Sequence, residues 1–440
     1  MTKIKRKSGE PIYEIGVVGG GLTGVMTAIA LSFSFQKKNK DTNIVLINRG
    51  SHSENKSKSS KSEITDRRTT TINAAGKTML EVLGIWSKCS ARSTPINKIL
   101  VGGNGQSKDP ERNLLKPNFE LEWQDQKKPM AFVVENVVLL DALYDVIKTR
   151  PVKLLEGADI IEFDATDPNG FDDVSTLHLA DLTKVYCRLV VACDGSNSKL
   201  RELSGIKWRM DHHRQNALVT NVSTQFNHEN TAFQRFLPGG PIALMPHGKK
   251  EASMVWTLPI NDAERLSKLE DKELGLVLNE AFGNKLGSLN PIGQRYIWPI
   301  VPGITNSLTS KNLVFAGDSG HTLHPLAGQG YNLALGDAAV LADSIARATS
   351  LGLHANHRSV LNSYSYGREI EVRAMKLMTS FLNEIMSFQP NFSRFASLGM
   401  KLLNSSPIMK PLQKVASGGH LTDASLLNGR LPHSTDRADL

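Results

Sequence analysis

Between Gly317 and Asn332 the chain reads Gly-Asp-Ser-Gly-His-Thr-Leu-His-Pro-Leu-Ala-Gly-Gln-Gly-Tyr-Asn, preceded by a short apolar stretch, Asn312 to Ala316, and followed by a helix-like segment, Leu333 to Arg347. A strand that ends in Gly-Asp, bends through proline and Gly-x-Gly and then enters a helix sets one carboxylate and several free backbone N–H groups around a single ligand. The N–H groups of a helix start, backed by the helix dipole, favour an anion or an electron-rich ring at that point.

The N-terminal region supplies a second constraint. Tyr13 to Val18 reads as a buried strand, Leu22 to Phe35 as a helix and Asn43 to Ile47 as a second strand, a βαβ unit of ordinary length. Gly19-x-Gly21-x-x-Gly24 occupies its first turn. The first glycine permits the tight turn, the second lets a pyrophosphate approach the backbone, and the third lets helix and strand pack closely. The string is weak alone, but in this setting it points to a dinucleotide. An acidic residue is expected about twenty positions on, to hold the ribose hydroxyls; this chain has Asn48 there, which brings no charge.

Two further groups stand out. Asp194-Gly195 follows the apolar strand Val185 to Ala192 and leads into Ser198-x-x-Arg201. Arg68, in the cluster Asp66-Arg67-Arg68 just past the second strand, carries a planar fork suited to a cofactor's phosphates or ring edge. His321 and His324 have no carboxylate or cysteine partner at ligand spacing beyond Asp318, so no metal site is expected. Ser319 and His321 lack the strand-borne elbow of a hydrolase.

With 440 residues the chain is too long for one core, and two or three structural units are expected. The net charge of +9 is concentrated in Met1 to Lys7 and Lys56 to Lys61. Neither stretch is interleaved with aromatic residues, which argues against nucleic acid and leaves an anionic membrane surface or nothing more than a lysine-rich coding bias. Three cysteines without zinc spacing fit a reducing compartment. Ile15 to Phe35 is uncharged and long enough to span a bilayer, but its five glycines divide it into strand, turn and helix. Further along, Ala74 to Leu83 and Val134 to Ile147 have helical spacing, and Lys153 to Asp164 reads as strand. Residues 212–299 are β-rich, and the chain after Arg347 is helical to about Val415.

Taken in order, the three motifs resemble those of the single-component flavoprotein aromatic hydroxylases, most closely the FAD-dependent ring hydroxylases of ubiquinone biosynthesis. Thr322 to Gly330 is especially similar to the members acting on 2-polyprenyl-6-methoxyphenol. The similarity extends through Leu83-Gly84-Ile85-Trp86, Val133-Val134-Glu135-Asn136, Gln234-Arg235-Phe236, Gly240 to Pro246, Val255-Trp256 and Tyr364 to Arg368. It covers Tyr13 to Gly419 apart from the Ser/Lys-rich insertion. Asn48 departs from the pattern, as does His213, where an aromatic is usual.

This resemblance implies an α/β fold: a Rossmann-like FAD-binding domain with an inserted antiparallel β-sheet substrate domain and C-terminal helices. The discontinuous FAD-binding domain would comprise 10–90, 135–210 and 300–350, the substrate domain 91–134 and 211–299, and the helical region 351–418. Residues 1–9, 50–62 and 419–440 would be loosely ordered. FAD would be held by Gly19, Gly21 and Gly24 at the pyrophosphate, by Asn48 at the ribose and by Asp318 at the ribityl chain. Pro325, Gly328, Gln329, Gly330 and Asn332 would face the isoalloxazine, with Arg68, Asn136, Asp194 and Gly195 near the cofactor.

The implied activity is hydroxylation of the aromatic ring of a polyprenylated phenol, with NAD(P)H as transient reductant and dioxygen reacting through a flavin hydroperoxide. No residue singles itself out as the phenol-activating base. The setting would be cytoplasmic, peripheral to the inner membrane, in contact with a ubiquinone-biosynthesis complex. Two alternatives stay open in the sequence: a hydroxylase of a soluble aromatic compound, and a non-catalytic flavoprotein subunit.

Overall fold

The computed structural model describes residues 10–35, 43–52, 68–103, 120–124, 128–166, 173–210, 214–324, 328–388 and 423–432. The expectations made for Met1 to Lys7, Lys56 to Lys61, Asp66, Arg67, His213 and Pro325 lie outside these residues. A parallel core of five strands runs, in spatial order, Val152–Glu156, Ile44–Asn48, Ile12–Val18, Lys184–Ala192 and Leu313–Phe315. Ser175–Leu179 pairs antiparallel with Lys184–Ala192, and Ile160–Asp164 pairs with it in turn.

Both faces of the core strands are covered, so they read as continuous apolar runs rather than alternating ones. Ile15, Val17, Ile44 and Leu46 pack under the helices Leu22–Ser32, Asn136–Ile147 and Gly330–Ser350. Val18, Val45, Ile47, Val190 and Phe315 pack on the other side. The stretch Ile15 to Phe35 is the end of one strand, a turn and a buried helix, and among the described residues no helix is long and apolar enough to cross a membrane.

The inserted layer is a seven-stranded sheet in the order Leu289–Ile300, Gln215–Thr224, Glu251–Pro259, Gly240–His247, Thr231–Leu237, Lys98–Gly103 and Glu120–Gln124. Two helices cover its back, Ile260–Ser267 and Asp271–Phe282. Leu218, Ile242, Leu244, Met254 and Trp256 pack with Leu266, Leu274 and Leu278 there. The strand-rich reading of 212–299 omitted these helices, although the capping box Glu270/Glu273 opens the second one.

Three boundaries differ from expectation. Helical spacing from Val134 is replaced by a strand, Ala131–Glu135, and the helix starts at Asn136. The paired valines there suit a pleated, covered strand. Residues 91–134 do not form one unit: Ser93–Ile96 and Ala131–Glu135 join Thr69–Asn73 in a separate three-stranded sheet, while Lys98–Gly103 and Glu120–Gln124 belong to the large one. Within 419–440, residues 423–432 are packed rather than loose. Leu426 is fully buried in the core that contains Ile15, and Ser425 N donates to Asp343 Oδ2 at 2.8 Å.

Candidate functional site

The strand order places a switch point beside Ile12–Val18: the chain moves outward through Ile44–Asn48 and Val152–Glu156, then crosses to Lys184–Ala192 and Leu313–Phe315. Ligands in open α/β sheets bind outside the carboxyl ends of strands at such a point. The carboxyl ends of three neighbouring parallel strands carry Gly19, Asp194 and Gly317-Asp318. Motifs separated by most of the chain therefore meet at one edge.

At the first turn Gly19 has φ +118°, and a Cβ on it would stand 2.3 Å from Cys193 O. A Cβ on Gly24 would stand 1.8 Å from Gly19 O, so the helix can lie on the turn only without a side chain there. Gly21 is different: a Cβ there would meet nothing within 4 Å. It is the N-cap of Leu22–Ser32, which has no side-chain cap and no acid in its first turn. Uncapped N–H groups over an open glycine suit an anionic pyrophosphate.

Asn48 ends its strand against this turn. Its Nδ2 donates to Tyr144 Oη at 3.4 Å, and Tyr144 Oη donates to Gly20 O at 3.2 Å. Burial, with the Glu156 charge adding and the Asn48 bond opposing, pushes the Tyr144 hydroxyl up to about 12. The carboxylate absent from position 48 stands one strand away, because Asn48 and Glu156 are register partners. Glu156 accepts from His52 N at 2.9 Å and from Ser51 Oγ at 3.3 Å, and the His52 ring stacks on Tyr144 with centroids 4.0 Å apart.

Asp194 Oδ2 accepts from Leu200 N at 3.1 Å, while its Oδ1 is buried with no hydrogen-bond partner. Gly195 beside it has φ +85° and open space where a Cβ would be. Arg201 lies over the Trp208 ring, 4.2 Å from its centroid, and donates to Ser196 O at 2.5 Å and to Ser319 O at 2.9 Å. It thereby ties the Asp194 turn to the Gly317 turn.

At that last turn Gly317 has φ +62°, and a Cβ there would stand 2.8 Å from Thr23 Cγ2, so this turn rests on the helix that opens at Gly21. Asp318, next along the chain, is exposed at this turn. Partial desolvation by the walls of the turn raises its carboxyl above the usual range although the residue is exposed; His321 opposes that shift and the Asp337 charge adds to it. Gly328 has φ +63°, Gln329 is the N-cap of Gly330–Ser350, and that helix start also lacks a side-chain cap and a first-turn acid. The Asn332 amide is occupied by backbone, accepting from Asn73 N at 3.0 Å and donating to Thr71 O at 3.0 Å, so it fastens this helix to the strand Thr69–Asn73.

Arg68 and Asn136 lie together where the strand Thr69–Asn73 begins and the helix Asn136–Ile147 opens. The Arg68 guanidinium lies 5.0 Å from the Trp298 ring centroid and 5.8 Å from that of Tyr296, joining the two layers. Asn136 N donates to Arg68 O at 2.8 Å, and its Oδ1 accepts from Thr70 Oγ1 at 2.6 Å. An orphaned buried carboxylate oxygen, two uncapped helix starts and an open carboxylate between them fit FAD in extended form.

Sequence reasoning missed Asp337, buried among His321, Arg368 and Gly317. Burial opposes its ionisation, but His321 and Arg368 beside it, with the bonds from His321 and Gly317 N, hold its carboxyl well below the usual range. An Asp inside a helix gives no local signal of this. His321, whose spacing from His324 raised the question of a metal, instead has its Nε2 2.7 Å from Asp337 Oδ2.

Residues 13–378 match the family described as the FAD binding domain. Ubiquinone hydroxylase UbiL of Rhodospirillum rubrum is 30% identical over 381 residues, 86% of this chain and 83% of that protein. The human mitochondrial ubiquinone biosynthesis monooxygenase COQ6 is 25% identical, with 93% of each chain covered. Among solved structures, p-nitrophenol 4-monooxygenase PnpA of Pseudomonas putida superposes with a TM-score of 0.69 at 16% identity, covering 93% of this chain and 99% of that one. The chain belongs to the FAD-binding-domain family and, within it, to the FAD-dependent hydroxylases related to ubiquinone biosynthesis, and it is an FAD-dependent monooxygenase.

Proposed function

We propose that the protein hydroxylates the aromatic ring of a polyprenylated phenol in ubiquinone biosynthesis, with NAD(P)H as reductant and dioxygen as oxygen donor. The observation that carries this reading is the convergence of Gly19–Gly24, Asp194 and Gly317-Asp318 at one sheet edge, together with the names borne by UbiL and COQ6. FAD, when bound, supplies the redox chemistry that lets one atom of dioxygen reach an aromatic carbon while the other leaves as water. Gly19, Gly21 and Gly24 would admit its pyrophosphate, Asn48 its ribose and Asp318 its ribityl hydroxyls. Gly328, Gln329 and Gly330 would present N–H groups to the ring edge.

The substrate wall would be the sheet face turned away from the helices at Ile260–Ser267 and Asp271–Phe282. Tyr296, Val219, Val255, Ala243 and Gln234 stand in register across five strands of it, and no charged side chain interrupts the row. The neighbouring Arg235 turns to the opposite face, donating to Ala281 O at 3.1 Å. Such a wall suits an apolar aromatic ring and excludes water from it. The basic leader Met1 to Ser8 supports peripheral attachment to an anionic bilayer at the inner membrane, each near-surface cation contributing about 1 kcal/mol.

The test is a purified protein's visible spectrum followed by anaerobic NAD(P)H addition with and without a prenylated phenol. Flavin bands that bleach faster with the phenol, and a product heavier by one oxygen once air is admitted, are the expected results. Bleaching indifferent to every prenylated phenol but accelerated by a soluble phenol would overturn the substrate assignment.

A further inference from the structure

We infer that Arg368, on the C-terminal helix Arg358–Phe388, is a positioning residue that aims the Asp318 carboxylate through Asp337, and so sets how tightly FAD is held at its ribityl chain. The inference rests on the reading of Asp318 as the ribityl ligand. Asp337 and Arg368 are both fully buried, and Arg368 Nε donates to Asp337 Oδ1 at 2.7 Å. The other oxygen, Oδ2, accepts from Gly317 N at 2.8 Å and pairs with His321 Nε2 at 2.7 Å. Gly317 directly precedes Asp318 and His321 follows it by three, so one carboxylate grips the short turn on both sides of the exposed Asp318.

The rest of the guanidinium is equally committed. It donates to Glu371 Oε2 at 2.5 Å and to Leu333 O at 3.0 Å, the latter in the helix that starts at Gly330. Gly336 makes room for it, since a Cβ there would stand 2.8 Å from an Arg368 terminal nitrogen. Replacing a buried ion pair by apolar residues of similar volume is often neutral or stabilising, so stability alone is a weak account of this one. What an apolar pair cannot do is hold a backbone N–H and an imidazole at fixed points. The planar fork spans three acceptors, which an ammonium cannot reproduce.

The experiment measures FAD affinity of the full-length apoprotein by flavin fluorescence, beside the apoprotein melting temperature, for wild type, Arg368→Met, Arg368→Lys, Gly336→Ala and Asp318→Asn, and for each of the first three changes combined with Asp318→Asn. Arg368→Met and Gly336→Ala are each expected to weaken FAD binding about tenfold, the equivalent of 1.4 kcal/mol. Arg368→Lys should not rescue it. In the Asp318→Asn background the same changes should add little further loss, because they act through that side chain. If Arg368→Met fails to fold, Gly336→Ala carries the test, since it removes no charge and alanine favours the helix. Unchanged FAD affinity with only a lowered melting temperature, or losses that add in full to Asp318→Asn, would overturn the inference and leave a structural brace. A wild-type protein that takes up no FAD would overturn the cofactor reading itself, a separate outcome.

Discussion

At the Gly19–Gly24 turn the cleft is shaped by leaving side chains out, whereas at the Gly317–Asp318 turn it is shaped by burying charged ones. The first turn is held by backbone: Gly19 N donates to Ile47 O at 2.8 Å, Cys193 N to Val18 O at 2.8 Å, and a glycine stands wherever a Cβ would collide. The second is held by Asp337, itself held by Arg368 and His321. A turn made by omission is tolerant of charge and pH but intolerant of a single methyl group. A turn made by a buried ion network accepts bulk in places but depends on every partner remaining ionised or bonded.

The difference can be broken most sharply at Gly24. Gly24→Ala brings a carbon to 1.8 Å from Gly19 O, so helix and strand must separate. FAD affinity is expected to fall by about 100-fold or more, a loss of several kcal/mol of the kind that backbone clashes produce. Apoprotein titration with FAD checks it, and near-normal affinity would show that the turn is not the pyrophosphate seat. At the other turn, Asp318→Ala removes a carboxylate without disturbing the brace beneath. The expected loss is about 20-fold in FAD affinity, the scale of a charged hydrogen bond, with the apoprotein melting temperature unchanged or slightly raised. A fall in melting temperature without a change in affinity would place Asp318 in the frame rather than the cleft.

Gly21→Ala sharpens the contrast inside the first turn, because a Cβ there meets only open space. The apoprotein should lose about 1 kcal/mol or less, a cap effect, while FAD binds about tenfold more weakly. Equal affinity in this variant would mean that the phosphate lies elsewhere. The smallest effect is expected at the ribose end. Asn48→Asp restores a charged acceptor and should tighten FAD about threefold. It also sets a second carboxylate beside Glu156, so the apoprotein should melt slightly lower; a rise in both quantities would show that Glu156 is too far away to matter.

The two turns also differed in how far they could be read from the sequence. Gly19, Gly21 and Gly24 act locally, within one strand–turn–helix, and their spacing carries the geometry. Asp194-Gly195 and Gly317-Asp318 were legible for the same reason, each following a short apolar strand. The brace was not legible, because Asp337 and Arg368 sit on two helices where charged residues ordinarily face water, and only tertiary packing shows that both are buried. Glu156 was hidden differently: its closeness to Asn48 comes from strand register, which spacing along the chain does not record. Asn332 was read as a cofactor neighbour, and the strand it fastens was visible only once Thr69–Asn73 had a partner sheet.

The docked turn at Leu426–Asn428 has a consequence for how the protein is made. Leu426 lies in the same core as Ile15, on the first strand of the sheet. At ribosomal speeds of 5–20 residues per second, the chain between them takes roughly 20–80 s to synthesise. Until then the core around Ile15 lacks the Leu426 side chain, and the strand Leu313–Phe315 has yet to be made for most of the interval. The packing around the first strand is therefore completed by residues made more than 400 positions later, and an alteration at Leu426 would be felt in the packing at Ile15.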